Sequence, residues 1–303
     1  MVRFSNSSNN INMFKKILKG ILFLIGGLLV LALVFCAVVY FKTESRINKV
    51  YTINLQKLNI PNDSISYAAG KHIAENRGCI GCHGANFSGG RPFMKQAEPP
   101  LGELYAGNIT SGIGGIQYTD EDWVRALRHG LGKDNKSLWL MPSHEFYHLS
   151  NQDMGELISF IRVQKPIDNN VPAKSLKPLG RFLTFIDRFP LLPAEKINHE
   201  LILKDHIEPT VTPQYGAYLA TVCRGCHGPE LKGAPAHEKL QPAFPDISST
   251  GSPGKWKESE FITAMRTGKL PDGKQLSEFM PWKFFTYTDD ELKAVYMYLQ
   301  QLK

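Results

Sequence analysis

The string Cys79-Ile80-Gly81-Cys82-His83 returns 144 residues later as Cys223-Arg224-Gly225-Cys226-His227, and the likeness extends far beyond those five positions. Gly70-Lys71-His72-Ile73-Ala74 leads to the first string and Gly216-Ala217-Tyr218-Leu219-Ala220 to the second. After the strings, His83-Gly84 with Phe87 and Gly89 parallels His227-Gly228 with Leu231 and Gly233. Asn108-Ile109-Thr110 begins eleven residues before Thr119, and Asp246-Ile247-Ser248 begins eleven before Lys257. The stretch 119–130 then matches 257–268, with Ala126 and Arg128 opposite Ala264 and Arg266, and both copies reach a Met-Pro pair, at 141 and 280. A chain patterned this way is expected to fold as two copies of one unit.

Each unit reads as all-helical. The segments before the two strings, and the stretches 119–129 and 257–267, place apolar residues at helical spacing; the latter two end at Gly130 and Gly268, residues suited to a C-cap. The last helices start at Ser150-x-x-Asp153 and Thr288-x-x-Glu291, acidic forms of the capping box. They present Leu157, Phe160 and Ile161, or Val295, Tyr298 and Leu299, on one face. With 303 residues, 43% of them hydrophobic, the chain has material for two cores plus connections. Long loops containing glycine and proline leave each core incomplete and call for a bound group to fill it.

In Cys-x-x-Cys-His the two thiols are spaced to add across the two vinyl groups of one haem, and the adjacent His is then forced beneath the iron. Four of the five cysteines fall in the two strings. A disulfide framework belongs to smaller, Cys-richer chains, a zinc ribbon sets its Cys pairs much closer together, and a redox dithiol needs a βαβ context. Two covalently bound haems c are therefore expected, attached through Cys79, Cys82, Cys223 and Cys226, with His83 and His227 as iron ligands. For the opposite face of each iron, only Met141 and Met280 align between the units, lying 58 and 53 residues after their own His. Met94, Met154, Met265 and Met297 have no Met counterpart. The plainer reading of the aligned pair is two apolar loop residues. Rival ligands His129, His144 and His148 in the first unit face only His237 in the second, which argues against a matched bis-histidine design.

Residues 20–41 carry no charge over 22 positions, a length of about 33 Å as a helix and enough to cross a bilayer core. The run closes on Val38, Val39, Tyr40 and Phe41, unlike the small-x-small end of a cleaved signal peptide, so an uncleaved anchor is expected. Cys36 follows bulky Val34 and Phe35 and reads as a small apolar residue of the span, not a lipid-attachment site. Four Lys/Arg precede the run and three follow it closely, a weak positive-inside signal; haem attachment outside the bacterial cytoplasmic membrane argues independently for periplasmic haem units. Of the formal charge of +7, +6 resides in the first 50 residues, which hold seven Lys/Arg and one acid against 28 and 27 in the remainder. That balance gives no reason to expect a nucleic-acid partner. Residues 166–209 contain several prolines and an aromatic tract around Phe182, Phe185 and Phe189, too apolar for a free linker. An ordered arm packed between the two units is expected, with an exposed docking patch as the alternative.

Both units resemble class I cytochrome c domains, and more narrowly those in the multihaem cytochrome subunits of bacterial membrane-bound alcohol, gluconate and sorbitol dehydrogenases. The residues carrying the resemblance are Cys79-x-x-Cys82-His83-Gly84, Asn108-Ile109-Thr110, Gly112-Ile113-Gly114, Thr119-Asp120-Glu121-Asp122, Arg128-His129-Gly130, Met141-Pro142 and the helix start at Leu149-Ser150 through Asp153. With the anchor and repeat read above, the expected layout is mainly α: a cytoplasmic N-terminus at 1–19, a transmembrane helix at 20–41, a stalk at 42–65, tandem cytochrome c domains at 66–165 and 210–303, and a linker arm at 166–209. The resemblance implies thioether bonds at the four string cysteines, proximal His83 and His227, and distal Met141 and Met280. The chain departs from those subunits in having two haem units, not three, and an N-terminal anchor. The expected role is electron carrier, not enzyme, with no small-molecule substrate. Electrons would enter from a dehydrogenase or quinol-linked complex and leave towards an oxidase or another cytochrome. The rivals are a dihaem peroxidase and a haem-based gas sensor; each needs one haem with a vacant or labile ligand, and the recurrent Met-Pro pair speaks against that asymmetry.

Overall fold

The computed structural model describes residues 7–94, 101–235 and 243–303. Helix α1, Ser7–Ile47, begins before the uncharged run and continues six residues past its end. Its apolar side chains, among them Leu22, Phe23, Leu31 and Leu33, are exposed on every side of the helix, whereas Val39 near the end of the run is buried. A helix apolar on every side is suited to a membrane span or to cover by other protein. Among the described residues it is the one helix long and apolar enough to cross a membrane. The stretch expected to be a stalk instead lies along the first unit. Tyr51 N–H donates to Asn135 O at 2.9 Å, and Leu55, Leu58 and Ile60 pack against that unit's core.

Unit one contains α2 (Ser64–Asn76), α3 (Cys79–His83), α4 (Asp120–His129), α5 (Ser143–Phe146) and α6 (Asn151–Arg162). After α7 (Pro178–Phe185), unit two contains α8 (Pro213–Leu219), α9 (Arg224–His227), α10 (Glu258–Thr267) and α11 (Asp289–Leu299). In each unit the helix before the string crosses the last helix, α2 on α6 and α8 on α11. Glycine makes the crossing close. A Cβ on Gly70 would overlap Glu156 O, and one on Gly216 would overlap Ala294 O. Around these crossings Leu127, Leu157, Ile158 and Phe160 form one core, and Leu219, Leu231, Leu292 and Leu299 the other. The C-caps at Gly130 (φ 65°) and Gly268 (φ 71°) are left-handed, a region glycine enters without a steric penalty.

Three further expectations need correction. Unit one is not purely helical: β1 (Pro92–Met94), β2 (Gly102–Tyr105) and β3 (Ser175–Leu176) form a small antiparallel sheet in that order. The second correction concerns the arm, which supplies β3 and packs on unit one and on α1, not between the units. Leu191 and Leu192 are buried with Leu104, and the Phe182 and Phe185 rings meet Phe35 of α1 edge-on. The third concerns the start of α6. Ser150 Oγ caps Asp153 N–H at 3.0 Å, but the Ser150 N–H donates to Tyr218 Oη at 3.0 Å, and that hydroxyl donates to the Asp153 carboxylate. A tyrosine from unit two thus completes the cap. In α11 the box closes on itself between Thr288 and Glu291.

The two units therefore touch directly, and they do so reciprocally. The start of α6 meets unit two just before its string, through Tyr218 and through His148, whose Nε2 lies 2.7 Å from Thr221 Oγ1. The start of α11 meets unit one just before its string: His72 Nε2 lies 2.9 Å from the Glu291 carboxylate, and Thr286 N–H donates to Asn76 Oδ1 at 2.9 Å. Between them Arg77 Nη1 donates to Thr221 Oγ1 at 2.8 Å. Arg77 and Thr221 each stand two residues before the first cysteine of their string, so equivalent positions meet, as at the centre of an isologous two-fold interface.

Replacing Gly216 with alanine should destabilise the protein by about 1–3 kcal/mol, because the α8–α11 crossing must open to admit a methyl group. Thermal unfolding of Gly216→Ala followed by circular dichroism checks this, and an unchanged melting temperature would refute the close-crossing account.

Candidate haem sites

Each string sits in a short helix that ends at a glycine, and in both the chain then turns back the same way. Gly89 N–H donates to His83 O at 2.9 Å, and Gly233 N–H to His227 O at 2.8 Å. Between them stand Phe87 (φ 59°) and Leu231 (φ 61°), left-handed without being glycine. Both are fully buried, which is how a strained backbone is held in place. Ile109 N–H then donates to Phe87 O at 3.0 Å and Ile247 N–H to Leu231 O at 2.9 Å, bringing the Asn108 and Asp246 turns beneath the strings.

Those turns serve the histidines. Asn108 Oδ1 accepts from Thr110 N–H at 3.0 Å, and Asp246 Oδ1 from Ser248 N–H at 2.7 Å. Each turn presents the carbonyl just before it to a ring: His83 Nδ1 lies 2.8 Å from Gly107 O, and His227 Nδ1 lies 2.8 Å from Pro245 O. A carbonyl can only accept, so Nδ1 carries the proton and Nε2 keeps the lone pair that a metal needs. Burial holds both imidazoles below their ordinary range, which favours the neutral form. The Asn-Ile-Thr and Asp-Ile-Ser repeats were visible in the sequence; their task as histidine supports was not read from it. The signal was their fixed place in both units.

Burial pushes the Cys79 thiol up to about 12 and the Cys223 thiol up to about 11, and raises Cys82 and Cys226 as well. Protonated thiols of this kind are poor disulfide-exchange nucleophiles. All four are unpaired. Two free thiols and one tautomer-fixed imidazole per unit are the donor set that covalent haem attachment uses, so these residues fit the group.

The Met-Pro segments also match. Pro142 (φ −80°, ψ 48°) and Pro281 (φ −81°, ψ 40°) have nearly the same backbone. Ser143 N–H closes on Met141 O at 2.8 Å and Trp282 N–H on Met280 O at 2.9 Å, a tight inverse γ-turn in both copies. Both methionines are half-buried, and Met141 lies against the core of unit one. Of the rival ligands, His129 Nδ1 is 3.1 Å from His199 Nδ1 on the arm, and His148 is engaged by Thr221 across the interface. The buried Nδ1 of His144 has no hydrogen-bond partner among the described residues. His237 and residues 95–100 lie outside the described residues, as does the side chain of Met94.

The interface brings the strings close to foreign charges. Glu145 of unit one lies against Gly225 of the second string, where an added Cβ would strike its carboxylate. Burial raises the pKa of that carboxyl. Lys283 of unit two lines a cleft of about 200 Å³ together with Ile80 and Gly81 of the first string. Glu145 and Lys283 each stand five residues before the N-cap of their unit's last helix.

Comparison with known proteins agrees with this geometry. The cytochrome c family model matches residues 67–165 and 214–303, more than half of the chain. The chain is 27% identical over 281 residues to the cytochrome c subunit of alcohol dehydrogenase (quinone) from Gluconacetobacter polyoxogenes, covering 79% of this chain and 56% of that protein. It is 25% identical over 264 residues to the fructose dehydrogenase cytochrome subunit of Gluconobacter japonicus, covering 78% and 52%. Against the gluconate 2-dehydrogenase cytochrome c subunit of Pantoea cypripedii it is 25% identical over 273 residues, covering 77% and 58%. The chain thus spans about half the length of the curated relatives it matches. With the family matched twice, over the two units that each carry a string and a histidine held by a backbone carbonyl, this chain belongs to the cytochrome c family.

Proposed function

We propose that this protein is a membrane-anchored dihaem electron carrier, the cytochrome partner of a membrane-bound dehydrogenase, which passes electrons on to an oxidase or another cytochrome. The observation that carries this reading is the matched pair of sites, joined through Arg77 and Thr221 just ahead of their strings. When bound, a c-type haem supplies a one-electron iron couple whose potential is raised by His/Met ligation. Cys79 and Cys82 would hold one haem and Cys223 and Cys226 the other, with His83 and His227 as proximal and Met141 and Met280 as distal ligands. Gly107 O and Pro245 O keep the proximal rings in one orientation, so little need move when the charge changes. The tight Met-Pro turns fix the distal segments alike, which supports two six-coordinate carriers over a peroxidase or sensor with one open site. Residues 20–41 would cross the cytoplasmic membrane and place both units in the periplasm, where c-type haem is attached. Names of relatives support a dehydrogenase partner: the similar proteins are cytochrome subunits of alcohol, fructose and gluconate dehydrogenases.

Intact-mass measurement of the denatured protein, made in a host with c-type maturation, should show two haem adducts. Cys82→Ala and Cys226→Ala should each leave one attachment weakened or lost at its own string. A protein that carries no covalent haem under competent maturation would overturn the reading.

The distal ligands have a sharper test. The reduced wild type should not bind carbon monoxide, Met141→Ala should bind it at the first haem alone, and Met280→Ala at the second alone. The near-infrared band of ferric iron–methionine ligation should fall by about half in each variant, since each removes one of two equivalent ligands. If the band and carbon monoxide binding of Met141→Ala match wild type, the ligand is elsewhere, and His144 becomes the residue to replace next.

A further inference from the structure

The arm helix α7 is amphipathic. At 100° per residue, Phe182, Phe185, Leu179, Leu183 and Ile186 share one side, and Gly180, Thr184 and Arg181 the other. The second side is occupied by protein: a Cβ on Gly180 would strike Leu101 O of unit one, and Thr184 O accepts from Arg46 at 2.7 Å. Of the apolar side, one edge is occupied by α1. The rings of Phe182 and Phe185 lie 6.2 and 6.4 Å from that of Phe35, both edge-on. The other edge is the open one, with Leu179 38% and Ile186 41% exposed and Leu183 part-buried.

The position of Phe35 decides what covers that edge. It lies six residues before Phe41, inside the uncharged run, which as a helix is about 9 Å below the end of the run. Helices that lie in the plane of a membrane surface bury their apolar face by about 5–10 Å. Polar contacts mark the matching boundary one to three turns further along α1. The Arg181 guanidinium sits 4.5 Å from the Tyr40 ring and pairs with Glu44 at 2.8 Å, while Arg46 pairs with Asp187 at 2.7 Å and Glu195 at 2.6 Å. Tyrosine and arginine at that level are suited to the headgroup region, and exposed Arg188 extends the basic rim.

We propose that α7 is a second membrane contact, its Leu179, Leu183 and Ile186 edge resting among the lipids of the leaflet that α1 crosses. This rests on the reading of α1 as a membrane anchor. A protein covering the same edge would have to reach the depth of Phe35, where lipid is already the solvent of α1. Because Gly180 is pressed on Leu101 and β3 is paired to β2, the contact ties unit one to the membrane at two points, α1 and α7, and removes the freedom to swing about the anchor.

The test uses the full-length holoprotein in phosphatidylcholine vesicles, with Cys36→Ala so that introduced thiols are the only free ones. Nitroxides are placed singly at Leu179→Cys, Ile186→Cys, Glu208→Cys and Val30→Cys, and the haem iron is kept ferrous. Power saturation with oxygen and a water-soluble nickel chelate should show labels 179 and 186 oxygen-accessible and severalfold less open to nickel than label 208, with label 30 the most protected from nickel. Nickel access at 179 and 186 equal to that at 208, with 30 still protected, would overturn the lipid contact and leave the anchor standing. Exclusion of both reagents at 179 and 186 would also overturn it, since it indicates protein cover. Nickel access at 30 would instead sink the anchor reading on which the proposal rests.

Discussion

In each unit one ring nitrogen of a histidine is held by a backbone carbonyl, which leaves the other free, and much of the surrounding structure supports that hold. A string of five residues cannot do this alone. The carbonyl that accepts from Nδ1 belongs to a turn 24 residues away for His83 and 18 for His227, so the chain must return to the string over a long segment in which the described regular structure of unit one is only the short strands β1 and β2. Buried left-handed Phe87 and Leu231, the Asx turns at Asn108 and Asp246, and the bonds from Ile109 and Ile247 do that work in both copies. Unit one adds a further tie, because Asn108 Nδ2 also donates to Ile167 O at 2.8 Å at the start of the arm. The crossed helices behind the string supply the wall against which this frame is stiff.

Duplication alone would give two such units on a tether. The contacts here give more, because each unit uses the same surface against the other. Thr221 shows how closely the join is fitted: its hydroxyl donates to Tyr218 O at 2.8 Å, which leaves its lone pairs to accept from Arg77 and from His148 Nε2–H. His148 is accordingly neutral, burial together with the neighbouring arginines lowering its pKa to about 3. Around this centre the copies have diverged in charge. His72–Glu291 on one side answers Tyr218–Asp153 on the other, and acidic Glu145 near the second string answers basic Lys283 near the first. Otherwise matched sites therefore sit in unlike electrostatic surroundings, with effects that are larger where burial lowers the local dielectric.

Much of this was legible in the sequence, for physical reasons. The strings, the repeat, the long apolar helix and the helix ends are local patterns: they depend on spacing along the chain, and helical period, capping and C-terminal glycine act within a few residues. Pairings across long distances were not legible. The short β-sheet depends on a strand contributed by the arm some 70 residues after β2, and the altered cap of Ser150 depends on a tyrosine from the other unit. Aromatic residues in the arm gave reason to expect order, but composition cannot say which apolar surface receives them: α1 for Phe182 and Phe185, and unit one for Phe189. The fit of Met141 and Met280 to a common turn was anticipated only as alignment; the shared γ-turn is what gives that alignment a geometric content.

The arm's course changes what determines the distance between the two sites. If residues 166–209 were a flexible tether, the strings would meet only as often as its length and stiffness allowed, and the interface would be judged as an effective concentration. Here the arm is bound along unit one: Asn151 and Gln152 N–H groups donate to Lys204 O and Asp205 O at 2.9 Å, next to the α6 cap that receives Tyr218. The end of the arm and the start of the interface are thus the same piece of structure, leaving only the few residues before α8 to join the units. Separating the strings would require breaking the contacts of Arg77, His72 and Tyr218 together. Each typical hydrogen bond contributes only about 0.5–1.5 kcal/mol, but these must break together, and with them the packing of Tyr218 against both cores. The spacing of the two sites is consequently a property of the folded core and its interface, not of the linker that connects them.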